Sequence, residues 1–165
     1  MIEIKTKIEL KEYIKLIYLL SYRQKGMIIF HAVCILLCPL ILLHFMELLT
    51  LPSIEILIGF SIVPLLFFPI IIYFSAKKTF KTHSRIQEEI IYQIDPDKIC
   101  MIGESFKAEV NWGKLYKIVE RKNWFLFYEN QTSAHSIPKR CIGNQKQELR
   151  AMIGQHPIKS QLRKD

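Results

Sequence analysis

His31, Cys34 and Cys38 fall at i, i+3 and i+7, so on a helix they share one face. An imidazole and two thiols suit a soft ion such as Cu(I) or Zn(II). No further His or Cys comes from the neighbouring apolar stretch to complete a shell, and cysteine also packs as a small hydrophobe. No metal is therefore assigned. His44 and Glu47 follow in the same stretch, and ionisable groups inside a bilayer are functional candidates by default. Glu47 lies near the end of its segment, where a carboxylate can snorkel to the headgroups, and Glu55 is also a border residue. Residues 35–43 and 62–72 offer little polar beyond Cys38, so a proton or ion path lacks groups near the midplane.

The catalytic inventory is thin. The chain has no Gly-rich phosphate loop, no Gly-x-Ser-x-Gly, no His-Glu-x-x-His and no suggestively spaced carboxylate pair. His83, His135 and His156 are isolated in polar context and read as surface residues. The expectation is a protein that is not an enzyme and carries no cofactor. Nucleic acid is not an expected partner either, because the charge is spread and no helix-turn-helix or aromatic RNA-binding signature occurs.

The most notable polar feature is Ile137-Pro138-Lys139-Arg140, a strand end followed by two cations at a turn. With Lys117, Arg121 and Lys122 these define a candidate basic patch for anionic headgroups or an acidic partner. The competing reading is a solvated basic rim. Trp112 and Trp124 are candidates for ligand stacking, but packing of a sheet against a helix accounts for them more simply.

Two apolar segments of 23 residues, 27–49 and 54–76, position the first set of groups. As helices each spans about 34 Å, enough to cross a bilayer core of about 30 Å. Only Thr50-Leu51-Pro52-Ser53 separates them, which predicts an antiparallel hairpin. Prolines 39, 64 and 69 free backbone carbonyls that neighbouring helices must satisfy. Lys and Arg are absent from residues 27–76 yet flank both outer ends, with Arg23 and Lys25 before and Lys77, Lys78, Lys81 and Arg85 after. The net charge of +8 is thus concentrated where the positive-inside rule places the cytoplasm. Both termini are expected there, in a multi-pass membrane protein. The first segment starts too late and runs too long for a cleaved signal peptide. Cys100 and Cys141 are isolated, so neither a disulfide scaffold nor a zinc ribbon is expected.

Residues 2–5 alternate like a short strand, and 9–24 form an amphipathic helix with Lys7, Lys11 and Lys15 recurring every four residues. That helix either lies in the headgroup layer or packs on the polar domain. Beyond residue 85 the period becomes two, with strands expected near 89–94, 98–102, 106–112, 116–120, 124–129 and 133–138. A helix over 145–153 follows, with Leu149, Met152 and Ile153 on one face. The predicted fold class is an α+β membrane protein, a two-helix hairpin followed by a small antiparallel β domain capped by a C-terminal helix. Expected boundaries are 1–26 for the strand and juxtamembrane helix, 27–76 for the hairpin, 77–155 for the β domain and 156–165 for a polar tail.

The run Val110-x-Trp112, Leu115, Lys117-Ile118-x-Glu120, then Trp124-Phe125-Leu126-Phe127-Tyr128 and Ile137-Pro138-Lys139-Arg140, resembles the YcxB-like family of bacterial membrane proteins. The resemblance covers roughly residues 88–153. It implies a two-helix hairpin followed by a pleckstrin-homology-like domain, with Trp112, Trp124 and Pro138 as motif residues. Asp95-Pro96-Asp97-Lys98 lacks an expected glycine, and Cys141-Ile142 replaces an expected aromatic. The resemblance implies architecture and no agreed biochemical activity; the leading expectation from the chain as a whole is a membrane-held module that binds a protein partner or anionic lipid headgroups. The alternative is a small oligomeric transport or channel subunit using His31, His44 or Glu47.

Overall fold

The computed structural model describes residues 1–48 and 54–163 and divides into two units. One is helical, Glu9–His83; the other combines Met1–Ile8 with the residues from Ser84 onward. The predicted reversal at residues 50–53 lies outside the described residues.

The helical unit contains α1 (Leu10–Ser21), α2 (Lys25–Phe45) and α3 (Ile54–Thr82). At the start of α1 the Glu9 N–H donates to the Glu12 carboxylate at 3.2 Å, satisfying one orphan donor. Its apolar face, with Leu16 buried, is taken up by α3. The two run antiparallel: the Tyr13 ring lies 5.5 Å from that of Phe80, and the Tyr18 hydroxyl donates to the Pro69 carbonyl. α2 and α3 are antiparallel as well, with the Phe30 and Phe68 rings 5.6 Å apart and Cys34 reaching Phe60. Only Cys34, Ile41, Ser61, Ile72 and Ala76 are buried along these two helices, so their flanks are apolar and bare.

α2 ends at Phe45, short of the expected residue 49. Glu47 adopts φ +60°, its N–H bonds to the His44 carbonyl at 3.0 Å, and the Leu48 N–H reaches back to Leu43 at 3.1 Å. This pair of reverse bonds is a Schellman closure, a role usually given to glycine. The absence of a glycine explains why the stop is hard to see in the sequence. α3 continues to Thr82, so the polar domain begins at Ser84, with the short helix α4 (Ser84–Gln87), and not at the expected residue 77.

In the second unit β1 (Ile2–Thr6), β2 (Ile90–Ile94), β3 (Lys98–Ile102) and β4 (Lys107–Asn111) form one antiparallel sheet in that order. β1 thus belongs with the sheet and not with the helix that follows it, a correction to the expected 1–26 segment. Its alternation requires this: Ile2, Ile4 and Thr6 are buried while Glu3 and Lys5 are exposed, and β2 supplies the pairing from Ile2↔Ile94 to Thr6↔Ile90. The second sheet has the order β7 (Ala134–Pro138), β6 (Trp124–Tyr128), β5 (Lys117–Glu120) and β8 (Ser160–Gln161). β8 joins β5 in parallel, so the stretch expected as a polar tail is partly built into the sheet. The short helix α5 (Lys139–Ile142) precedes α6 (Lys146–Gly154), whose Leu149, Met152 and Ile153 enter the core as expected. One core joins both sheets and α6, with Ile4, Ile94, Ile118, Phe125, Ile137 and Leu149 fully enclosed.

Candidate functional site

The five cations of the expected patch do not form one surface. Lys117 opens β5 and stands over the Tyr128 ring at 4.6 Å and the Tyr116 ring at 5.5 Å. Arg121 and Lys122 lie in the turn between β5 and β6, Arg121 half-buried and Lys122 exposed. The Lys139 N–H donates to the Asn123 carbonyl at 2.9 Å, which brings the start of α5 to that same turn. The Lys139 side chain, however, points inward to the Glu120 carboxylate and passes 5.2 Å from the Phe125 ring. Arg140 donates to the Lys7 carbonyl at 2.8 Å, tying α5 to the chain just after β1. Arg121, Lys122 and Lys139 thus gather at one turn, Lys117 sits at the other end of β5, and Arg140 serves a structural contact.

The inward turn of Lys139 exposes a feature that charge spacing does not reveal. The Glu120 side chain is fully buried and accepts from Lys139, from Arg150 Nε at 3.0 Å and Nη2 at 2.8 Å, and from the Arg163 N–H at 3.1 Å. Burial alone would raise its pKa, but the bonds from Arg150, Lys139 and the Arg163 amide outweigh that and hold it below the usual carboxylate range. A signal existed: a carboxylate closing the apolar run Ile118-Val119 demands an internal cation. Its main partner, Arg150, is distant in sequence, so spacing could not name it.

The motif residues are structural. Trp112, in a one-turn 3-10 segment after β4, is buried and donates from Nε1 to the Asp95 carbonyl at 2.8 Å. That bond fixes the Asp95-Pro96-Asp97 turn. His156, expected at the surface, instead stacks on Trp112 with ring centres 4.3 Å apart and 12° between planes. Trp124 is buried and pairs in register with Pro138, which closes β7. His83 is exposed, and His135 meets Glu129 at 2.9 Å.

In the helical unit the His31, Cys34 and Cys38 side chains do not converge. His31 Nδ1 lies 2.8 Å from the Met27 carbonyl, Cys34 Sγ donates to the Phe60 carbonyl at 3.8 Å, and Cys38 Sγ to the Cys34 carbonyl at 3.4 Å. Among the described residues, no three His, Cys, Asp or Glu side chains gather as a metal site requires.

Fold and side chains together define an α+β protein in which two long apolar helices interrupt a two-sheet unit closed by a buried ionic cluster. Residues 94–153, from the end of β2 almost to the end of α6, match the family model described as YcxB-like protein. That stretch is thus similar to the YcxB-like family, as its Trp, aromatic-strand and Pro-Lys-Arg runs anticipated. No curated protein and no solved structure matches it.

Proposed function

We propose that this chain is an integral protein of a bacterial inner membrane, with a pleckstrin-homology-like unit that acts as a non-enzymatic binding module at the cytoplasmic leaflet. The observation that carries the reading is the pairing of Thr6 with Ile90. The chain leaves the sheet after β1 and returns to the adjacent strand β2, having passed through two antiparallel apolar helices. A hairpin inserted at one sheet position exits and returns on one face of a bilayer. The length and apolar composition of both helices support crossing, and with so little of either buried, neither resembles the core helix of a soluble fold.

The cations agree. Lys11, Lys15, Arg23, Lys25, Lys77, Lys78 and Lys81 flank the two apolar helices in sequence, where they suit anionic headgroups at about 1 kcal/mol each. Two four-stranded sheets with a C-terminal helix suit the pleckstrin-homology-like layout. Its mechanism is local concentration, since holding the module at the membrane makes a weak contact with a protein or headgroup nearly intramolecular.

Paired fusions of a cytoplasm-active fluorescent reporter and a periplasm-active phosphatase after Asp165 test this reading. Fluorescence without phosphatase activity, in a chain that alkaline carbonate leaves in the membrane fraction, is the expected result. Phosphatase activity, or release by carbonate, would refute it.

A further inference from the structure

β5 has β6 on one side, and its other edge is covered by residues 158–163 of the same chain. The cover is slight. Only Ile118↔Ser160 and Val119↔Gln161 are in register, in parallel, with the Ile118 N–H donating to the Lys159 carbonyl at 3.0 Å. Ser160 and Gln161 are exposed, while Ile158 and Leu162, four residues apart, are half-buried against the core.

Beyond the two paired residues the contact changes character. Glu120 Oε2 accepts the N–H of Arg163 at 3.1 Å, and Arg150 Nη2 donates to the carbonyl of the same residue at 2.9 Å. One buried carboxylate–guanidinium pair thus holds both backbone groups of a single residue. Such a clamp reads main chain and is indifferent to the side chain. Main-chain bonds supply affinity and side-chain recesses supply selection when an extended peptide adds to a sheet edge.

We propose that the β5 edge, with the Glu120–Arg150 clamp and the core surface against which Ile158 and Leu162 pack, is a peptide-docking groove. Residues 158–163 are its resident occupant. The ligand is an extended segment of another polypeptide, with two apolar residues four apart and a free backbone N–H immediately after the second. Exchange is feasible because the resident segment has a two-pair parallel ladder and half-buried anchors, whereas β1 is held by five antiparallel pairs. The assignment rests on the β unit being a binding module.

The test uses the full chain in nanodiscs and a fluorescent peptide copying residues 156–163. Replacing Ile158 and Leu162 together by Asp unseats the resident segment. That variant is expected to bind the peptide at least tenfold more tightly than the unaltered chain. N-methylation of the peptide amide that corresponds to Arg163 is expected to weaken binding at least tenfold. Equal binding of the methylated peptide, or no saturable binding to a folded variant, overturns the groove.

Should the variant not fold, hydrogen exchange on the unaltered chain decides. The Ile118 and Arg163 amides are expected to exchange at least tenfold faster than those of β6, and equal rates overturn the exchangeable segment. Carbonate extraction of cell membranes carrying the same proteins separates the two ideas: lost peptide binding with intact membrane retention removes the groove alone, whereas release from the membrane removes the anchor.

Discussion

The thiol of Cys34 in α2 donates to the carbonyl of Phe60 in α3 at 3.8 Å, and Phe60 is the residue whose helical partner would have been Pro64. Proline has no N–H, so the Phe60 carbonyl loses its i+4 donor, and the neighbouring helix supplies a replacement. Cys34 is buried, and this contact explains its place better than metal ligation does. Replacing Cys34 by Ala is expected to destabilise the helical unit by about 1 kcal/mol. In a Pro64→Ala background the carbonyl regains its own N–H, and the Cys34→Ala cost should fall by roughly 0.5 kcal/mol or more. Thermal unfolding of the four proteins in detergent checks this cycle; additive losses would show that the thiol merely fills space.

Removing Glu120 should be far more damaging than removing any exposed cation. Glu120→Ala leaves Lys139 and Arg150 facing each other with less than one-fifth of either side chain exposed. Breaking a buried pair in this way costs about 3–5 kcal/mol. Lys139→Ala should destabilise as well, whereas Lys122→Ala at the exposed turn should change stability by no more than about 0.5 kcal/mol. Thermal melts of the full chain in detergent separate these three.

Acid should loosen the β unit first. The Glu88 carboxyl is held below its usual range by the Ser105 hydroxyl and N–H, which donate at 2.6 and 2.9 Å. Glu120 is lowered too, its hydrogen bonds overcoming burial. Both groups take up protons more readily in the unfolded chain, where carboxylates titrate at about pH 4.3. Their stabilisation is complete above that pH and is lost as pH falls through the folded-state values. Melting temperature should therefore decline below about pH 4.3, and Glu120→Gln should flatten that limb. An unchanged acid limb would mean the cluster does not titrate with unfolding.

Gly103 links the Glu88 cluster to the core. A side-chain carbon there would come 2.5 and 2.8 Å from the Phe106 ring and 2.9 Å from Glu88 Oε2. Both neighbours are committed, Phe106 to the core and Glu88 to Ser105. Gly103→Ala is expected to cost about 1–3 kcal/mol, read from the same melts.

How much of this was legible before folding depends on the range of each interaction. Alternation placed β1 and β4, whose Ile2, Ile4 and Val110 lie on one buried face, while short apolar runs between turn signals placed β3, β5 and β6, which are buried on both faces. The two long helices were equally plain. Lys139 was singled out for the wrong environment, since a Pro-Lys-Arg run looks exposed until Glu120 draws the lysine in. The Glu120–Arg150 pair joins residues 30 apart, and β8 is only a Ser-Gln pair held by tertiary contact. Neither leaves a local pattern. The placement of α1 was open for a similar reason: one apolar stripe fits several surfaces, and the choice of α3 rests on Tyr13 and Tyr18 finding Phe80 and Pro69.

Glu47 offers the sharpest separation between backbone and charge. Its positive φ closes α2, and a left-handed residue with a Cβ costs roughly 1–2 kcal/mol relative to glycine. Glu47→Gly should therefore raise thermal stability in detergent, Glu47→Gln should leave it unchanged, and Glu47→Val should lower it, because branching at Cβ worsens the same clash. If Glu47 instead acts through its carboxylate, as a transport role would require, Gly and Gln should impair function alike while stability follows the backbone order. A stability ranking set by charge, with Gly and Gln equally destabilised, would show that the Schellman closure is not what Glu47 provides.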